Sequence, residues 1–153
     1  MLQVALWEPE IPPNTGNIAR LCAATGCPLH LVGRLGFRID EKSVRRAGLD
    51  YWDSVELHQH ATLAELEEKL KQQNARLFCL SARAKNTYTK IPYKPGDCLL
   101  FGAETRGLPP EVLDRYALQS YTIPMASEKV RSLNLATATG IVLYEGLRQL
   151  HGW

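Results

Sequence analysis

Three polar stretches carry the residue types from which chemistry is built. The first is Asn14-Thr15-Gly16-Asn17, followed by Arg20. A helix starting here would present free amides and a positive dipole end to an anion, with Arg20 one turn inside as an added cation. The same residues suit a plain N-capped helix with a surface arginine, because Arg20 falls off the apolar stripe of Ile18, Leu21 and Thr25. The second stretch is Phe101-Gly102-Ala103-Glu104-Thr105-Arg106-Gly107. Glycines at both ends let a ligand approach the backbone closely. It has neither the lysine-serine/threonine ending of a P-loop nor the spacing of a dinucleotide fingerprint. It is a ligand loop of another kind, or a tight turn exposing Glu-Thr-Arg. The third runs from Tyr121 to Thr137. Pro124 ends a strand and Ser132 is a candidate helix N-cap. The loop between them exposes hydroxyls, backbone groups and the cations Lys129 and Arg131. An ordinary strand-to-helix connection would look the same.

Other chemistries find little support. There is no GxSxG elbow and no HExxH pair. His58 and His60 are two apart and would share one face of a strand, as a metal pair might. With no third ligand nearby, they read as solvent-facing, and no metal is expected. Cys22, Cys27, Cys79 and Cys98 form no two-residue-gap pair and lie in or beside apolar segments. They read as small core residues of a cytoplasmic protein.

The elements that must position these stretches alternate in type. Strands are expected at residues 2–7, 29–32, 55–57, 76–81, 98–102 and 120–124. Glu8-Pro9-Glu10-Ile11-Pro12-Pro13 reads as rigid loop, and Gly26 ends the helix after it. Lys42–Ala47 reads as a short basic helix. Thr62 and Glu65 form a capping box before the stripe Leu63, Leu66 and Leu70. Pro109 or Pro110 opens a helix through Tyr116. The last helix runs from about Ser132 to Leu150. This is an α/β pattern: one domain, residues 1–153, with a mainly parallel sheet flanked by helices. The loops 8–17, 102–108 and 124–132 then follow carboxyl ends of strands, the edge where such sheets bind ligands.

The last helix carries two apolar or small stripes, one through Leu135, Ala138, Val142 and Gly146, the other through Ala136, Gly140, Ile141 and Tyr144. A helix apolar all round is buried on more than one side. One side can cover the sheet; the other is expected to meet a second copy, with close approach at Ala136 and Gly140. Net charge is only +2, but cations cluster at 34–46 and 83–94. Such patches are phosphate sites or solvated surface. The N-terminus has no basic region of a secretory signal, and no apolar run approaches a membrane span.

Taken together and in order, Asn14-x-Gly16-Asn17-x-x-Arg20, Phe101-Gly102-x-Glu104-x-x-Gly107, and Ile123-Pro124-Met125 with Ser132-Leu133-Asn134-Leu135 resemble the three motifs of the SPOUT superfamily, in its RNA ribose 2′-O-methyltransferase branch. Glu8–Asn17 and Arg45-Arg46-Ala47-Gly48-Leu49-Asp50-Tyr51 look like the small bacterial tRNA enzymes that methylate a wobble cytidine or uridine. The similarity runs essentially the length of the chain. Ala103 stands where a proline is common, Leu133 for a methionine and Ala136 for a serine.

The resemblance implies a C-terminal trefoil knot, S-adenosylmethionine as methyl donor (S-adenosylhomocysteine as product), an antiparallel homodimer and the tRNA anticodon stem-loop as partner. It implies that Leu80, Gly102, Ile123 and Ser132 line the cofactor pocket, with Glu104, Gly107, Met125 and Leu133 close by. The family assigns proton removal to Arg20. A guanidinium pKa above ~12 makes that hard, so Arg20 is expected mainly to hold an adjacent phosphate. Asn14, Arg131, Ser132 and Asn134 would place the ribose. Arg45, Arg46 and Lys85 would meet the tRNA, and Tyr144 would stack on a base or pack the dimer. A non-catalytic RNA-binding protein and a ribosomal-RNA methyltransferase are the alternatives on this scaffold.

Overall fold

The computed structural model describes residues 1–38 and 52–153. The expected Lys42–Ala47 helix, Arg45 and Arg46 lie outside the described residues.

Seven strands among the described residues form one sheet, β1 (Gln3–Trp7), β2 (Leu29–Val32), β3 (Leu57–His60), β4 (Leu77–Leu80), β5 (Asn86–Thr87), β6 (Cys98–Phe101) and β7 (Ser120–Thr122). Their order is β3-β2-β1-β6-β4-β7-β5, and every pairing is parallel. The central strands β4 and β6 are buried along their whole length, which is why they read as unbroken apolar runs. β7 is inserted between β4 and β5, although β4 and β5 are neighbours in sequence. β5 is two residues long and was hidden in what reads as polar loop.

Helix α1 (Pro12–Thr25) and helix α4 (Leu135–His151) cover one face of the sheet, where Leu2, Val4, Leu6, Leu29 and Leu31 meet Ile18, Cys22, Val142, Leu143 and Leu147. Helices α2 (Leu63–Gln72) and α3 (Pro110–Arg115) cover the other, where Ala5, Val32, Cys79 and Leu100 meet Leu66, Leu70 and Val112. Thr62 caps α2 as expected, its Oγ1 accepting from Glu65 N, but the return bond of the box shifts by one residue: Glu65 Oε2 accepts from Ala61 N. All four cysteines are buried and free. Burial pushes the Cys22 and Cys79 thiols up to about 12, so neither offers a thiolate near neutral pH.

Three expectations need correction. Pro12 and Pro13 belong to the first turn of α1 rather than to a loop. Proline has no N–H to lose there, and its fixed φ suits the position. The N-cap of α4 is Asn134, not Ser132: Asn134 Oδ1 accepts from Ala136 N at 2.9 Å and Thr137 N at 3.2 Å. His58 and His60 are half-buried rather than solvent-facing. Their rings stack on that of fully buried His30, with centroids 5.0 and 5.1 Å away. His30 Nε2 pairs with Gln3 Oε1 at 2.8 Å, and its Nδ1 with His60 Nε2 at 2.9 Å. Burial first, then the positive fields of His58, His60 and Lys69, pull the His30 pKa down to about 3.

On the first stripe of α4 Leu135, Val142 and Gly146 are buried, with Leu147 joining them, and Ala138 is half-buried; Gly146 lets the helix sit close, since a Cβ there would lie 2.6 Å from Leu2 Cδ1. On the second stripe Ala136, Gly140 and Ile141 are half-buried and Thr137 and Tyr144 exposed. A Cβ at Gly140 would meet nothing within 4 Å.

Candidate active site

At the carboxyl edge of the sheet, the loops after β1, β6 and β7 are tied to one another by side chains. Glu104, in the loop after β6, accepts from Glu10 N (2.9 Å) and Ile11 N (2.8 Å) in the loop after β1, and from Asn14 Nδ2 (3.3 Å) in the first turn of α1. Asn14 Oδ1 accepts from Asn134 Nδ2 at 3.0 Å, and Asn134 caps α4. One chain of amides and a carboxylate therefore runs Glu104–Asn14–Asn134 and joins three polar stretches that lie far apart in sequence. Thr105 adds a second tie, donating from its N (3.0 Å) and Oγ1 (2.8 Å) to Glu10 Oε1. These bonds hold the Glu10 carboxyl below the usual carboxylate range, the Thr105 amide contributing most.

These ties revise the reading of α1 as an anion site. Two of its first amides are absent because Pro12 and Pro13 have none, and Asn14 N and Thr15 N both bond Ile11 O. Asn14 is buried and its amide serves the relay.

The loops enclose a cavity of about 430 Å³. Leu80, Gly102, Glu104, Gly107, Ile123, Met125, Ser132 and Leu133 all line it, as does Arg131. The two loop glycines have different jobs. A Cβ on Gly102 would lie 2.2 Å from the Gly107 carbonyl carbon and 2.4 Å from Leu108 N, so Gly102 is what lets the loop close on itself. Ala103 and Gly107 bridge within that closed loop. Gly107 has φ +65, and a Cβ there would meet nothing within 4 Å, so its backbone fronts open space.

Arg20 is exposed on α1, about 9 Å further along the helix axis than Asn14, and is not part of the cavity lining. Lys85 and Tyr144 are also exposed and outside the lining, Tyr144 with its ring 6.2 Å from that of Trp153. Sequence reading missed Arg83, Thr105 and Arg106 as lining residues. Arg83 follows the carboxyl end of β4, the same edge signal that marked the other loops.

The SpoU rRNA Methylase family model matches residues 1–144. The chain belongs to that family. A tRNA (cytidine(34)-2′-O)-methyltransferase of Yersinia pestis is 51% identical to this SpoU-family chain over 154 residues, spanning 98% of this chain and 94% of the relative. A structure solved for the 2-OH methylation of C/U34 on tRNA matches with a TM-score of 0.92 at 48% identity, covering 100% of this chain and 98% of that one. The SpoU methyltransferase AviRb of Streptomyces viridochromogenes, solved in complex with AdoMet, matches with a TM-score of 0.86 at 26% identity, covering 99% of this chain and 58% of its own.

Proposed function

We propose that this SpoU-family chain is a tRNA (cytidine(34)/uridine(34)-2′-O)-methyltransferase, which moves a methyl group from S-adenosylmethionine to the ribose 2′-hydroxyl of the wobble nucleotide. The observation that carries it is the Glu104–Asn14–Asn134 relay, which gathers the three motif loops around one cavity. The relatives named for nucleotide 34 match over nearly the whole of this chain and of their own.

The residues present fit the donor. The cavity is within the range of small-molecule sites, about 300–1,000 Å³. Leu80, Ile123, Met125 and Leu133 supply apolar walls, and the backbone at Gly107 fronts open space where a ligand can approach. Gly102 and Ser132 complete the wall, and Glu104 shapes the loop rather than facing a positive ligand alone, since its oxygens already accept backbone amides. When bound, the donor supplies an electrophilic methyl on a sulfonium. The chain's own residues then have to align the 2′-hydroxyl and manage one proton, and such alignment supplies several kcal/mol of a barrier.

Arg20 holds the phosphate next to the target ribose with its guanidinium fork, and the hydroxyl proton leaves to that phosphate or to solvent. Asn14 and Asn134 act as positioning residues: their amides hold α1 and α4 together at the site. Ser132 and Arg131, on the cavity wall, are left to meet the ribose and its phosphate. Lys85, with Arg45 and Arg46, meets the rest of the anticodon stem-loop. The uncovered stripe of α4 through Gly140 and Tyr144 supports a homodimer in which a second copy covers it. The insertion of β7 between β4 and β5 supports a threaded, knotted C-terminal segment. Four buried free thiols suit a cytoplasmic protein.

The test is incubation of the protein with total tRNA and methyl-labelled S-adenosylmethionine. Label is expected in tRNA, and S-adenosylhomocysteine in equal amount. Binding of tRNA with no transfer and no heat on titration with S-adenosylmethionine would favour a non-catalytic RNA binder instead.

A further inference from the structure

The end of β1 holds a second arrangement of charges beside the cavity. Glu8 has φ +47, a left-handed backbone that non-glycine residues adopt only where their surroundings insist on it. Its amide donates to Val32 O at 2.8 Å. Its carboxylate divides its contacts: Oε2 accepts from Arg34 N at 3.0 Å, and Oε1 accepts from Arg106 Nη2 at 3.2 Å. Room for that carboxylate exists because residue 33 is glycine, with φ +79. A Cβ there would lie 2.7 Å from Glu8 Cγ and Oε2. The turn thus delivers a fixed negative charge beneath Arg106.

Arg106 lines the cavity with the rest of its loop, and its head reaches over the end of β1. Its guanidinium carbon lies 5.4 Å from the centroid of the Trp7 ring, and 58% of its side chain is exposed. A single N–H is used on Glu8, and its other donors make no hydrogen bond among the described residues. An arginine whose task was to brace the loop would spend more of its donors on the protein. Here the ring holds the plane of the guanidinium and one carboxylate oxygen holds one corner, leaving the rest of the fork open.

We propose that Arg106 contacts a phosphate of the RNA substrate, and that Glu8 and Trp7 are the seat that holds it oriented until the RNA arrives. The inference rests on the RNA-methylating reading above and adds a substrate contact to it. A phosphate can take two parallel N–H bonds from a guanidinium, which is why arginine suits the position better than lysine. Exchange from Glu8 to phosphate is easy, since an exposed single-point ion pair contributes little. Arg34, also exposed and fixed through its backbone to the same carboxylate, extends the positive edge in that direction.

The test compares Arg106→Gln and Glu8→Gln with the unaltered protein, reading KM for tRNA, the salt dependence of tRNA binding, and the Kd for S-adenosylhomocysteine. Arg106→Gln should raise KM for tRNA roughly five- to tenfold and lower the log–log salt slope by about 0.7–0.9, the share of one phosphate contact. Arg106 also lines the cavity, so the Kd for S-adenosylhomocysteine is read beside KM, and the rise in KM for tRNA should exceed any change in that Kd. Glu8→Gln keeps an oxygen for Arg34 N but loses the carboxylate that orients Arg106, so its KM for tRNA should rise by less than that of Arg106→Gln, with the Kd for S-adenosylhomocysteine unchanged. An unchanged KM and slope in Arg106→Gln would overturn the inference. So would both variants raising KM and weakening S-adenosylhomocysteine together, which would mark a loop-shaping role. If the unaltered protein transfers no methyl to tRNA, the functional reading fails first, before any variant is made.

Discussion

Glu104→Gln is the sharpest probe of how the site is held. In the parent, the two carboxylate oxygens accept two backbone amides and the Asn14 amide. Glutamine has the same shape but one acceptor oxygen, and its NH2 must then face one of those N–H groups. Hydrogen bonds to a charged acceptor are worth about 1.5–3 kcal/mol each, and water can partly replace the bond to Ile11 N, which is exposed. The net loss should be about 2 kcal/mol, carried by the loops after β1 and β6. If the pocket needs those loops tied, the same energy appears in ligand binding as a weakening of about 30-fold for S-adenosylhomocysteine. Thermal unfolding should fall by about 4–8 °C for a chain of this size. Calorimetry and a melting curve read both. Arg115→Gln is the control: it breaks an exposed pair with Glu67 on the α3 side and should leave both readings nearly unchanged. A Kd for Glu104→Gln within threefold of the parent would refute the idea that the relay builds the pocket.

The remaining predictions concern glycine, arginine and histidine. Gly102→Ala puts a methyl into the Gly107–Leu108 backbone and should abolish S-adenosylhomocysteine binding, whereas Gly107→Ala meets no atom and should cost only the left-handed strain, about 1–2 kcal/mol; equal binding by the two in calorimetry would contradict the loop geometry. Arg20→Lys keeps the charge and loses the fork, so its kcat/KM in the methyl-transfer assay should drop at least about tenfold; activity near the parent would remove the need for fork geometry. His30 is neutral in the fold with its pKa pulled down to about 3, against about 6.5 unfolded. Its contribution is therefore complete above pH ~6.5 and is lost as pH falls towards 3, with on the order of 3 kcal/mol gone at pH 4.5. The half-buried His60, also lowered, adds to the loss in the same direction. Urea unfolding at pH 7 and 4.5 should show that His30→Asn lowers stability at pH 7 but flattens the pH dependence; an unflattened curve would contradict the assignment.

Much of the fold was legible because the sheet is parallel and buried. Strands such as Leu77–Leu80 and Cys98–Phe101 have no solvent face, so their apolar runs stand out between polar edges. Misreadings fell where two physical causes give one appearance. Pro12-Pro13 marks a rigid loop or a first helical turn, and only the position of Ile11 O decides. Ser132 and Asn134 are both good caps, and the choice falls to the one that can also reach Asn14. The motif loops were visible as types and spacing, but what joins them was not. Glu104 and Glu10 lie 94 residues apart, and no local pattern says that a carboxylate will take its neighbours' amides instead of a ligand. Glu8 is hidden for the same reason: its left-handed turn follows from Gly33 making room across the sheet edge.

The most direct measurement of the central claim is the position of the transferred methyl. Total tRNA methylated by this protein with labelled S-adenosylmethionine would be digested and the modified nucleotide mapped. Label is expected on the ribose 2′-oxygen of nucleotide 34, as cytidine or uridine. Label on a base, or on a ribose outside the anticodon, would contradict it.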